Sequence, residues 1–220
     1  MVLRNRLVAL LIRIVIFALY CLALGPYIAS FDSGWVAICT MGVEMGILGA
    51  IVVGFEIVFN LIDLRHGVFG VAAGPYMPLA LPIYAFCFLT GMTYFAVLLP
   101  TGAAPNGTFA LILHATLLIG PLVDWIALDE KGTVPYFCGI SCQLYPILFH
   151  VFGWFRTIIW PDTPIYNGNL YALPFLDYLQ PNIVWFSIAF FATSVFTVYL
   201  FIFLNNVFTG KYRRVRLGED

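Results

Sequence analysis

Thr40, Glu44, His114 and His150 stand inside stretches otherwise dominated by Leu, Ile, Val, Phe, Ala and Gly. A hydroxyl, a carboxyl and two imidazoles lose hydration in such surroundings and must face protein or water. Counted from the ends of their apolar runs at ~1.5 Å per helical residue, Thr40 and His114 lie roughly 8–9 Å inside the same boundary. Glu44 follows Thr40 by four residues, which on a continuous helix puts both on one face. His150 sits about ten residues from the end of its own run, close to the depth of Glu44. The spacing predicts two stacked polar layers, Thr40 with His114 above Glu44 with His150, lining a wet pocket that opens outward. Glu44, His150 and His114, together with Glu56, Asp63 and Asp124, could carry protons or small ions, since ionisable groups inside a membrane often mark relays. The sparse stretch between Glu44 and Asp124 argues against a continuous path. His114, His150 and Glu44 could offer a metal two imidazoles and one carboxylate, but no tight spacing supports this and no metal is expected. The pocket could also grip a lipid head group without reacting with it.

The elements that position these residues follow from composition. Hydrophobic residues make up 62% of the chain and charged ones 10%, a surface that water cannot solvate. The expected class is an all-α membrane protein, a single domain over residues 1–220. Six apolar runs of spanning length cover roughly residues 7–29, 35–64, 77–100, 108–128, 135–160 and 181–208, separated by Gly, Pro and charge clusters. The first is too long for a signal-peptide core and is read as a retained helix. The fourth carries His114, Pro121 and Asp124 within one crossing, so it should pack against neighbours with His114 turned inward. On a helical wheel Gly42, Gly46 and Gly49 point away from Thr40, a face suited to close helix approach.

Arg4, Arg6, Arg13, Arg65, Lys131, Lys211, Arg213, Arg214 and Arg216 all fall at one end of a six-crossing chain, and only Arg156 falls toward the other. Both termini are therefore expected in the cytoplasm. Residues 161–180 form the one long outer segment, and Pro161, Pro164, Tyr166, Tyr171, Pro174, Phe175 and Asp177 suit a lid folded onto the bundle mouth. Net charge is close to zero, so no nucleic-acid partner is implied. Asn106 opens a glycosylation acceptor too close to the membrane to carry weight. Cys138 and Cys142 are one helical turn apart without a second ligand pair, and with Cys21, Cys39 and Cys87 they read as small, reduced core residues. No internal repeat is visible, which counts against inverted-repeat transporters.

The order Thr40, His114, Pro121 and Asp124-Trp125, then Asp129-Glu130-Lys131-Gly132, Leu144-Tyr145-Pro146 and the segment from Tyr171 to Asp177, resembles the androgen-induced and androgen-dependent integral membrane proteins. Their prokaryotic relatives are the nearer likeness. The resemblance runs from Thr40 to Phe208 and is strongest between His114 and Asp177. It implies a multi-pass enzyme of the cell membrane, without a cofactor, that hydrolyses fatty acid esters of hydroxy fatty acids or a similar fatty-acyl lipid. Thr40 would be the nucleophile and His114 its partner. The chemistry is sound, because a threonine hydroxyl becomes a nucleophile when a base takes its proton, and a buried neutral imidazole is such a base. Arg156, Tyr145 and backbone amides near Pro or Gly are candidate donors to the oxyanion. Glu44 or His150 could orient water or His114, and Asp124 supports the inner end. An isolated threonine in a membrane helix otherwise bonds the carbonyl one turn back. Cys39 is rotated by about 100° from Thr40 on a helix and is not expected to share its face.

Overall fold

The computed structural model describes residues 3–72, 74, 76–105, 107–128, 134–165, 170–171, 173–177 and 180–217. Asn106, residues 129–132, Tyr166 and Ala172, all used in the sequence argument, lie outside the described residues. Among the described residues eight α-helices follow in chain order: α1 (Arg6–Ala29), α2 (Gly34–Ile38), α3 (Met41–Asp63), α4 (Met77–Thr93), α5 (Thr108–Val123), α6 (Phe137–Cys142), α7 (Leu144–Ile159) and α8 (Ile183–Leu217). There is no strand among the described residues, only an isolated bridge between Asn5 and Phe69. Six helical segments are long and apolar enough to cross a membrane: Arg6–Ala29, Met41–His66, Met77–Leu98, Thr108–Leu128, Phe137–Ile159 and Ile183–Phe208. The fold is a six-helix membrane bundle whose crossings return the chain to the end where it began.

The helix ends follow local chemistry. Asn5 caps α1 by accepting from the Val8 amide at 3.1 Å, and Ser33 caps α2 through the Val36 amide at 3.4 Å. Gly107 precedes α5 with φ 126°, a conformation that excludes a side chain without strain. Two crossings end in a π-helical turn, Tyr94–Leu98 after α4 and Asp124–Leu128 after α5. The second follows Pro121, whose missing N–H already removes one rung of the helix ladder.

α4 is the most buried crossing, packed against α3, α5 and α8, while α1 packs against α3 and α5. Tyr20, Tyr84, Leu113, Leu117, Trp125 and Ile202 are fully buried in this core. Gly91 lets α4 and α5 approach closely: a Cβ there would meet the His114 carbonyl oxygen at 2.9 Å and Leu118 Cβ at 2.8 Å. The segment α6–α7 is the least buried crossing. It meets the bundle through hydrogen bonds of Tyr145 and His150 and through ring contacts, Tyr145 with Phe86 at 5.2 Å and Phe149 with Phe190 at 6.5 Å. At the end opposite the termini, Ile165, Tyr171, Leu173 and Leu176 are buried, and the last two join the main core.

Two expected crossings are not single helices: 135–160 is divided at Gln143 into α6 and α7, and 35–64 is interrupted near its start. The backbone breaks at Cys39-Thr40, where Thr40 has φ −98° and ψ 132° and caps α3. The break leaves the first-turn amides of α3 without helix partners, and Thr40 recovers one of them: its Oγ1 accepts from the Val43 amide at 3.4 Å.

Candidate functional site

One cavity at the end opposite the termini is lined by Thr40, Met41 and Gly42 from the α2–α3 junction, by Thr90 from α4, by His114 from α5 and by Leu173. Tyr27 of α1 also reaches it. The space is narrow, with room for water or the reacting end of a ligand but not for a whole acyl chain.

His114 is almost fully buried. Its Nδ1 lies 2.8 Å from the Ala110 carbonyl oxygen. A carbonyl only accepts, so Nδ1 carries the hydrogen and, in the neutral ring, Nε2 keeps its lone pair. The imidazole stacks on Tyr94, with centroids 4.0 Å apart and planes 13° apart, and meets Tyr27 edge-on at 6.0 Å. The π turn that begins at Tyr94 is therefore part of the seat of His114. Gly42 bounds the other side: a Cβ there would sit 2.7 Å from His114 Nε2.

Thr40 is buried, and its hydroxyl donates to the Ala37 carbonyl at 2.7 Å. The carbonyl used is three residues back, because the chain has left the helix at Thr40. The amides of Met41 and Gly42 open α3 and have no hydrogen-bond partner among the described residues. Both residues border the cavity, and the helix dipole adds positive potential there. The sequence argument did not single out these two amides. Their signal is a capping threonine followed by glycine two residues later.

The remaining expected residues are arranged differently. Glu44 does not share a face with Thr40, since Thr40 is not helical; it accepts from Tyr145 Oη at 2.5 Å. Tyr145 is thus engaged with Glu44 rather than aimed at the cavity as an oxyanion donor. His150 Nε2 lies 3.4 Å from Ser187 Oγ, and the ring meets Phe191 at 5.4 Å. The expected layer of Glu44 with His150 is not formed, because each is held by a different helix. Arg156 donates to the carbonyls of Leu170 at 2.8 Å and Thr163 at 2.5 Å, and it borders a second cavity with Cys39 and His150. Cys39 and Thr40, neighbours in sequence, therefore line different cavities. Gly46 and Gly49 do pack closely, against Leu113 and Tyr20, whereas Gly42 faces His114 and not merely a neighbouring helix.

Asp124 lies far from this cavity, about 15 Å along the helix from His114. Arg13 Nε donates to it at 2.8 Å and Tyr84 Oη at 3.0 Å. Glu56 completes the group, 3.7 Å from Arg13 Nε and hydrogen-bonded to Tyr84. Arg13, Glu56 and Asp124 are fully buried. Arg13 was expected among the exposed end charges; it is instead drawn into the bundle by two carboxylates. Arg6 and Asp63 pair separately at 4.0 Å. The ionisable residues thus fall into separate sets rather than one relay column. No group of three metal-ligating side chains occurs among the described residues, so His114, His150 and Glu44 do not assemble.

No family model, curated protein or solved structure matches the chain.

Proposed function

We propose that the chain is a membrane hydrolase of a lipid ester, with Thr40 as nucleophile and His114 as base, as its resemblance to the androgen-induced protein family implies. The observation that carries the reading is the shared cavity, with the Nδ1 hydrogen of His114 committed to Ala110 and the Nε2 lone pair left for a proton. In this mechanism Thr40 Oγ1 leaves the Ala37 carbonyl and gives its proton to His114 Nε2. Oγ1 bonds to the ester carbonyl carbon, and the carbonyl π pair moves onto its oxygen. The amides of Met41 and Gly42 receive that oxyanion. Collapse breaks the bond to the alcohol oxygen, which takes the proton from His114. Water, deprotonated by His114, then attacks the acyl-threonine, and the proton returns to Oγ1 as the carboxylic acid leaves. Because the cavity is narrow, the residues of the 161–180 segment around Leu173 must shift to admit an acyl chain. Both termini lie in the cytoplasm, so the cavity sits toward the outer leaflet.

The test is hydrolysis of a long-chain ester by the purified protein in vesicles. Turnover that falls to background in Thr40→Ala and in His114→Ala supports the reading. Turnover undiminished in either variant removes that residue from the mechanism, and ester binding without turnover in the parent leaves a lipid-binding protein.

A further inference from the structure

Arg156 poses a separate problem of charge. It is a permanent cation, 3% exposed, near the C-terminal end of α7. Buried charges are normally paired. The ion pairs among the described residues are those of Arg6 and Arg13, and no carboxylate pairs with Arg156. Among the described residues its hydrogen bonds go to the neutral carbonyls of Leu170 and Thr163, and it also lies beside the Cys39 thiol. The neighbouring residues outside the description, 166–169, 172, 178 and 179, include no acid. A guanidinium carries five N–H donors, more than the two carbonyls of the described residues take up.

The cavity that Arg156 borders is otherwise mostly apolar, with His150, Cys39 and Tyr171 as its other polar members. His150, which lines it too, lies 3.4 Å from Ser187 of α8. Ser187 in turn lines an open groove on α8, otherwise apolar, with Ile183, Ile188, Phe191 and Val195. A cation with no carboxylate partner among the described residues thus lines a cavity linked, through His150 and Ser187, to a trough with the chemistry of an acyl chain.

We propose that Arg156 holds the anionic head of a lipid, a carboxylate or a phosphodiester, with its acyl chain along the α8 groove. The missing counter-charge is supplied by the ligand, in a bidentate contact that suits a guanidinium. The site is distinct from the Thr40 cavity and stands whether or not Thr40 is a nucleophile.

The full-length protein in neutral detergent is titrated with oleate against oleyl alcohol, and with dioleoyl-phosphatidylglycerol against dioleoyl-phosphatidylcholine. Binding is read by native mass spectrometry and thermal shift. At least one anion is expected to bind about tenfold tighter than its neutral counterpart. Preference for oleate alone assigns a carboxylate, and preference for phosphatidylglycerol alone assigns a phospholipid. The preference disappears in Arg156→Gln, persists in part in Arg156→Lys and is unchanged in Thr40→Ala. Equal binding of the anionic and neutral member of both pairs overturns the proposal, and so does a preference that survives Arg156→Gln. Should Arg156→Gln not fold, the parent and Arg156→Lys still decide it: no preference in the parent, or a lysine variant that folds and has lost it entirely, counts against the site.

Discussion

A Cβ on Gly42 would stand 2.7 Å from His114 Nε2, so the smallest possible side chain there must displace the imidazole. Gly42→Ala is expected to lower ester turnover at least tenfold while costing about 1–3 kcal/mol of stability, as overpacking does. Thermal unfolding beside a kinetic assay separates the two. Thr40 has two jobs to separate, since its oxygen caps α3 as well as lining the cavity. Thr40→Asn keeps an N-cap but has no hydroxyl; it should unfold near the parent's temperature and show no turnover. Thr40→Ser keeps both and should retain activity. Were Thr40→Asn active, the cap would be its whole role. The levels of Thr40 and His114 were legible in the sequence, because depth needs only a count along two helices. The partners of Glu44 and His150 were not: they depend on which helices adjoin, and Tyr145 and Ser187 lie 101 and 37 residues away from them.

At the scale of elements, the break at Thr40 decides the site. An unbroken helix over 35–64 would have turned Thr40 with Glu44; a cap at Thr40 frees two amides instead. The apolar run hides that break, since no proline or glycine stands at 39 or 40. The two π turns have a similar place, one seating His114 through Tyr94 and one aiming Asp124 at Arg13. The Arg13–Glu56–Tyr84–Asp124 group ties α1, α3, α4 and the end of α5 together. Removing one carboxylate leaves a buried cation underpaired. Asp124→Ala should therefore lose about 3–5 kcal/mol, measured by unfolding in detergent, while the folded fraction keeps its turnover. A loss of turnover without a loss of stability would instead tie Asp124 to the cavity.

For the whole molecule, six crossings were readable because apolar length is a local property, and four of the six runs are each carried by one α-helix, two of them with a π turn at the end. The central place of α4 and the loose packing of α7 were not, since burial in a membrane bundle does not follow from apolarity alone. The charge count also changes: Arg13 is buried in the core and Arg156 is buried at the opposite end, leaving Arg4, Arg6, Arg65 and Lys131 with the C-terminal cluster to set orientation. That still favours cytoplasmic termini. A C-terminal green fluorescent protein fusion should be bright and a C-terminal alkaline phosphatase fusion silent; the reverse would invert the bundle. Reaction at the shared cavity is tested most directly by incubating the purified protein with a lipid-tailed fluorophosphonate and mapping the adduct by peptide mass spectrometry. The phosphonyl group is expected on Thr40 Oγ1 in the parent and nowhere in His114→Ala. An adduct on Cys39 or Ser187, or an unlabelled Thr40 in protein that still hydrolyses ester, would contradict a threonine nucleophile paired with His114.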